Sequence, residues 1–88
     1  MALQDDFSAA QQRVKTLTKR PDNMELLELY ALFKQGAVGD VSGKRPGMMD
    51  FKGRAKFDAW SGKKGASKDQ AMEQYVALVE KLVGKYGG

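Results

Sequence analysis

Asp22-Asn23-Met24-Glu25-Leu26-Leu27-Glu28-Leu29-Tyr30-Ala31-Leu32-Phe33-Lys34-Gln35-Gly36-Ala37-Val38-Gly39-Asp40 reads as one helix with more apolar surface than one neighbour can cover. Pro21 precedes Asp22, and Glu25 follows three residues on. An Asp side chain can accept from an orphan N–H of the first turn while a Glu at the third helical position reaches back. Gly39 ends the helix, because a left-handed residue there carries no Cβ penalty. Between these ends Leu26, Leu29, Phe33 and Ala37 make one face, and Leu27, Tyr30 and Lys34 a second. A helix so covered is central in a bundle or lines a ligand on one side.

The second face carries the functional signal. Tyr30 lies three residues from Phe33 and four from Lys34, so the three side chains project from adjacent turns. Two rings beside an ammonium suit a planar heterocycle that bears a phosphate. The plainer alternative, two core aromatics beside a solvated lysine, stays open at this point.

Outward from this helix the chain reads as three more. Phe7, Ala10, Val14 and Leu17 recur at three, four and three, marking a helix from Asp6 to about Leu17. Thr18–Pro21 is a short break, which predicts that the first two helices are antiparallel neighbours. Asp40–Asp50, rich in Gly, Pro, Ser and Asp, reads as a long crossover loop that lets the second and third helices run parallel. Met48, Met49 and Phe51 are expected to pin it to the body. A third helix spans Phe51 to Ser61, with Lys52 and Lys56 on one face and a Gly53 that hints at a close approach. Ser67 and Gln70 form a capping box opening the last helix. There Ala71, Tyr75, Leu78 and Leu82 make one stripe, with Met72, Val79, Val83 and Tyr86 beside it. Gly84, Gly87 and Gly88 are expected to let its end fray. No strand-like alternation or internal repeat is present, so the class is all-α: a four-helix bundle in a single domain, 1–88.

Composition excludes much. The 88 residues contain no Cys and no His, which removes disulfides, thiolate chemistry, and the commonest general base and metal ligand. No catalytic site and no metal site are expected, and an enzyme is not. The glycines form neither a P-loop nor a dinucleotide fingerprint. The acidic start Ala2-Leu3-Gln4-Asp5-Asp6 does not read as a secretory signal, and no run could span a membrane, so a cytoplasmic location is expected. The net charge of +4 is concentrated between Lys44 and Lys64, as for a surface meeting phosphates. Phosphates could belong to a nucleic acid, but no helix-turn-helix or RNA-binding signature accompanies them, and nucleic acid is not an expected partner. Docking to a protein partner is the other alternative.

Three runs, Tyr30–Asp40, Arg45–Trp60 and Gly65–Tyr75, carry a family resemblance. Lys-Gln-x-x-x-Gly-Asp at 34–40, Arg-Pro-Gly-Met at 45–48 and Lys-x-Asp-Ala-Trp at 56–60 occur together and in order. The chain closely resembles the acyl-CoA-binding protein family over nearly its whole length. The resemblance implies an up-down-down-up four-helix bundle that carries long-chain fatty acyl-CoA as its ligand. It implies no cofactor and no chemistry. It further implies a monomer that hands its ligand to acyl-CoA-using enzymes or membrane surfaces. It places Tyr30, Lys34 and Lys56 around the ribose 3′-phosphate, Phe33 against adenine and Tyr75 against the nucleotide. Lys15 and Lys52 would assist with CoA, and the acyl chain would run near Leu26, Leu27 and Ala55. The chain departs from the family's usual residues at Phe33 (commonly Tyr), Gly36 (Ala or Ser) and Phe57 (Trp). Loss of a hydroxyl, a looser helix end and altered packing are the respective expectations.

Overall fold

The computed structural model describes residues 2–87; Met1 and Gly88, including the part of the expected fraying that falls on Gly88, lie outside them. Its helices are α1 (Leu3–Arg13), α2 (Asn23–Ala37), α3 (Phe51–Ser61) and α4 (Lys68–Tyr86), with a 3₁₀ turn over Val14–Thr16 after α1. No strand occurs among the described residues. Helix α1 starts three residues before the expected Asp6: Ala2 is an N-cap without a side-chain bond, and Asp5 and Asp6 face the positive end of the helix. Both capping boxes form. Asp22 accepts from the Glu25 N–H at 2.8 Å while the Asp22 N–H donates to Glu25 Oε1 at 3.0 Å. Ser67 and Gln70 repeat the exchange at 3.0 and 3.1 Å. Gly39, at φ +103°, closes α2 by donating to the carbonyls of Gln35 and Lys34.

The helices pack in the spatial order α1, α4, α2, α3. The expectation that α1 and α2 are direct neighbours is corrected here: α4 packs on both, and α1 reaches α2 through the Phe7 side chain. An extended connector through Leu17 and a buried Pro21 is long enough to carry the chain past α4. Directions follow from the ends that meet. Glu25 at the start of α2 bonds Lys85 and Tyr86 at the end of α4, so these two are antiparallel. Trp60 at the end of α3 donates to the Gly39 carbonyl just beyond α2, so α2 and α3 are parallel. Thr18, just beyond the turn that follows α1, donates to the Tyr86 carbonyl at the end of α4, while Phe7 meets Tyr75 further back along both helices, so α1 and α4 are parallel. The bundle is therefore up-down-down-up.

Phe7, Ala10, Leu29, Leu32, Met72, Tyr75, Val79 and Leu82 form the core between α1, α4 and α2. Ala37, expected on the inner face of α2, is exposed; the buried side centres on Leu29, Leu32 and Gly36. A methyl at Gly36 would come within 3.1 Å of Met72 Cγ and 3.2 Å of Phe7 Cζ, so its glycine lets α4 and Phe7 approach closely. Gly53 has a different reason: its close neighbour is Asp50, whose carboxylate caps α3 by accepting from the Gly53 N–H at 2.9 Å. The end of α4 is held as well. Gly84 stays helical, and Tyr86 bonds Glu25 through its hydroxyl and accepts from Thr18 through its carbonyl, so the expected fraying does not reach it.

Candidate functional site

Helix α3 buries one residue, Trp60, and packs on α2 alone. The first halves of the two parallel helices therefore leave a groove of 590 Å³ between them. Arg20, Asn23, Leu26, Leu27, Phe51, Lys52, Ala55 and Lys56 line it. A space of this size is in the usual ligand-pocket range of about 300–1,000 Å³. Its floor is apolar, from Leu26, Leu27 and Ala55, and its rim carries Arg20, Lys52 and Lys56. These three cations form no ion pair among the described residues.

Beside the groove, two rings and two ammonium groups are exchanged between the helices. Lys56 of α3 lies over the Tyr30 ring of α2 at 5.4 Å, and Lys34 of α2 lies over the Trp60 ring of α3 at 5.0 Å. Each pair holds a cation at a ring face, where the quadrupole attracts it. Trp60 is fixed by its indole N–H, which donates to the Gly39 carbonyl at 2.9 Å. Both ammonium groups keep N–H donors free for an anion, since an aromatic face offers no lone pair.

Phe33 and Tyr75 stand together one step further along. The Phe33 ring stacks on Phe7 with centroids 6.0 Å apart, and Phe7 meets Tyr75 edge-on at 5.1 Å. Phe33 is half-buried, so one part of the ring packs on the core while another meets solvent. Tyr75 is buried, and burial pushes its phenol above the usual tyrosine range. Lys15 is exposed on the 3₁₀ turn and takes no part in lining the groove. The structure thus joins Leu26, Leu27, Lys52, Ala55 and Lys56 in one groove, Tyr30 and Lys34 next to it, and Phe33 with Tyr75 in a second cluster.

Arg20, Asn23 and Phe51 also line the groove and were not among the expected residues. Arg20 and Asn23 had no signal in their own segment, because their role exists only once α3 lies alongside. Phe51 was expected, with Met48 and Met49, to pin the long loop. All three are exposed instead. The loop is held by Arg45, whose guanidinium donates twice to Asp58 at 2.9 and 2.7 Å. That pairing holds the Asp58 carboxyl below its usual range.

Gln35 and Asp40 build the frame behind the site. Gln35 is fully buried, and its Nε2 donates to Asp40 Oδ1 at 2.9 Å and to the Ala66 carbonyl at 2.7 Å. Asp40 Oδ1 also accepts from the Gly65 N–H at 2.9 Å. The Gly65 N–H first and Gln35 second hold its carboxyl below the usual range. One amide and one carboxylate thus join the end of α2 to the α3–α4 turn.

A family model described as "Acyl CoA binding protein" matches residues 4–79. The chain is 59% identical to "Acyl-CoA-binding protein homolog 1" of Caenorhabditis elegans over 87 residues, covering 99% of each chain. It is 51% identical to the "Acyl-CoA-binding protein homolog" of Drosophila melanogaster over 93% of this chain and 95% of the relative. The crystal structure of Oryza sativa Acyl-CoA-Binding Protein 2 superposes with a TM-score of 0.91 at 39% identity, over 96% of this chain and 93% of that one. With the fold, the groove and these likenesses in agreement, the chain belongs to the acyl-CoA-binding protein family.

Proposed function

We propose that this protein binds long-chain fatty acyl-CoA thioesters and carries them in the cytoplasm as a monomer, without catalysis. The observation that supports it is one apolar groove rimmed by cations that form no ion pair among the described residues, beside two ring–ammonium pairs. An amphiphile with an oily tail and an anionic head requires these two surfaces next to each other. The tail lies along Leu26, Leu27 and Ala55, where each buried methylene contributes about 0.8 kcal/mol. Tyr30, Lys34 and Lys56 take the ribose 3′-phosphate by charge-assisted bonds. Phe33 offers its exposed part to the adenine, Tyr75 stands behind it, and Lys52 and Lys15 assist with the remaining phosphates. No cofactor enters this scheme, and the bound ester is passed on to acyl-CoA-using enzymes or membranes.

Calorimetry separates the two surfaces. Palmitoyl-CoA should bind far more tightly than either free CoA or palmitate, since each of those engages only one of them. Equal affinities for palmitoyl-CoA and palmitate would remove the head-group half of the proposal.

A further inference from the structure

The groove between α2 and α3 is apolar along Leu26, Leu27 and Ala55, but its far end is not. Arg20 and Asn23 line that end, at the start of α2. The pairs of Lys56 over Tyr30 and Lys34 over Trp60 lie at the other end. The helix rise puts about 10 Å between Asn23 and Tyr30 along α2, a span that roughly eight extended methylenes cover. A long acyl chain whose thioester lies on the Tyr30 side therefore brings its last carbon to Arg20 and Asn23. A terminal methyl gains no polar bond from a guanidinium or an amide. Arg20 is nevertheless set for contact. Pro21 after it is buried, and a residue before proline is confined to extended backbone, so the base of the Arg20 side chain is fixed beside the groove.

The geometry points to a second class of ligand for this groove: acyl-CoA thioesters whose chain ends in a carboxylate. Arg20 takes that carboxylate, and the Asn23 amide donates to it. The inference rests on the carrier reading above and deepens it by naming the end group of the tail. Arg20 forms no ion pair among the described residues. The neighbouring carboxylates are engaged elsewhere: Asp22 accepts from the Glu25 N–H and Asp50 from the Gly53 N–H, while Glu25 holds Lys85 and Tyr86. A guanidinium offers five donors and no acceptor, so its match is a group that only accepts, and its fork fits the two oxygens of a carboxylate. Against Leu26, Leu27 and Ala55 alone, such an end group would lose its hydration with nothing to replace it. Arg20 and Asn23 supply the replacement where the apolar floor stops.

The test compares palmitoyl-CoA with hexadecanedioyl-CoA, the thioester of equal length that carries a carboxylate in place of the last methyl. Calorimetry at fixed salt should show wild type binding the second within about tenfold of the first. Arg20→Met keeps an unbranched apolar stem and removes the fork. It should raise the ratio of the two dissociation constants by about tenfold or more, the worth of a charge-assisted bond. Lys19→Met removes the same net charge from an exposed neighbour that does not line the groove, and should leave the ratio as in wild type. Weaker binding of hexadecanedioyl-CoA than expected overturns the inference. So does a ratio that Arg20→Met leaves unchanged, because the carboxylate then lies in water or Arg20 serves the CoA phosphates of both ligands alike. An equal rise in Lys19→Met also overturns it, since long-range charge would then explain the effect. Failure of wild type to bind palmitoyl-CoA would instead remove the carrier reading, so the two failures are told apart.

Discussion

Lys34 and Lys56 each lie over a ring that belongs to the other helix. Their geometry predicts a cooperative phosphate site rather than two independent charges. Palmitoyl-dephospho-CoA should bind wild type about 100-fold more weakly than palmitoyl-CoA, since bonds to charged groups contribute about 1.5–3 kcal/mol each. In Lys34→Ala/Lys56→Ala, removing the 3′-phosphate should cost almost nothing further; equal penalties in both proteins would show that the lysines do not read it. The role proposed for Phe33 is divided between core and ligand, a choice its spacing alone left open. Because its ring stacks on Phe7 and is half-buried, Phe33→Ala should lower stability by about 1–3 kcal/mol, less than a fully buried Phe. It should also weaken acyl-CoA binding by about 1–3 kcal/mol, the range for a base stacked on an aromatic. Thermal melts and titrations of one variant read both effects.

Helix ends were written plainly in the sequence because they depend on residues three or four apart. Asp22 with Glu25, Ser67 with Gln70, and Gly39 all act where their spacing put them. The start of α1 was harder to place, because Ala2 caps it without a side-chain bond. Neighbour relations were less visible still: nothing in Thr18–Pro21 says that α4 will pack on both α1 and α2. The groove was half visible for the same reason: its floor at Leu26, Leu27 and Ala55 came from the family resemblance, since periodicity put Leu26 and Leu27 on different faces, and its Arg20 and Asn23 rim had no signal. Two links between elements carry predictions of their own. Gln35→Leu keeps the buried volume but removes the donor to the Ala66 carbonyl and leaves Asp40 with the Gly65 N–H. It should cost about 1–3 kcal/mol in denaturant unfolding, with little change in palmitoyl-CoA affinity. Glu25 joins the start of α2 to the end of α4. The Tyr86 hydroxyl first, then the Asp22 N–H and Lys85, lower its carboxyl from 4.5 to about 2. A depressed folded value stabilises the native state above the unfolded value and loses that contribution as pH falls. Melting temperature should therefore drop between pH 4.5 and about 2. Glu25→Gln should start lower at neutral pH and show a flatter acid limb.

Over the whole molecule the fold separates cations by use. Arg45, Lys63 and Lys85 are spent on Asp58, Glu28 and Glu25, which hold loop, turn and terminus in place. Arg20, Lys52 and Lys56 are left along the groove. The basic stretch from Lys44 to Lys64 is thus not one continuous anion surface, which disfavours a nucleic-acid backbone as its partner. The bundle is thin, 36 × 28 × 15 Å, with α3 resting on α2 alone. A ligand tail between them would serve as the missing packing layer for α3. The most direct measurement of this central claim is a calorimetric series from octanoyl- to palmitoyl-CoA at fixed salt and temperature. A tail buried in the groove predicts a dissociation constant that falls about three- to fourfold for each added methylene until the groove is full, from about 0.8 kcal/mol each. A dissociation constant that stays flat across the series would place the tail in water and contradict the account.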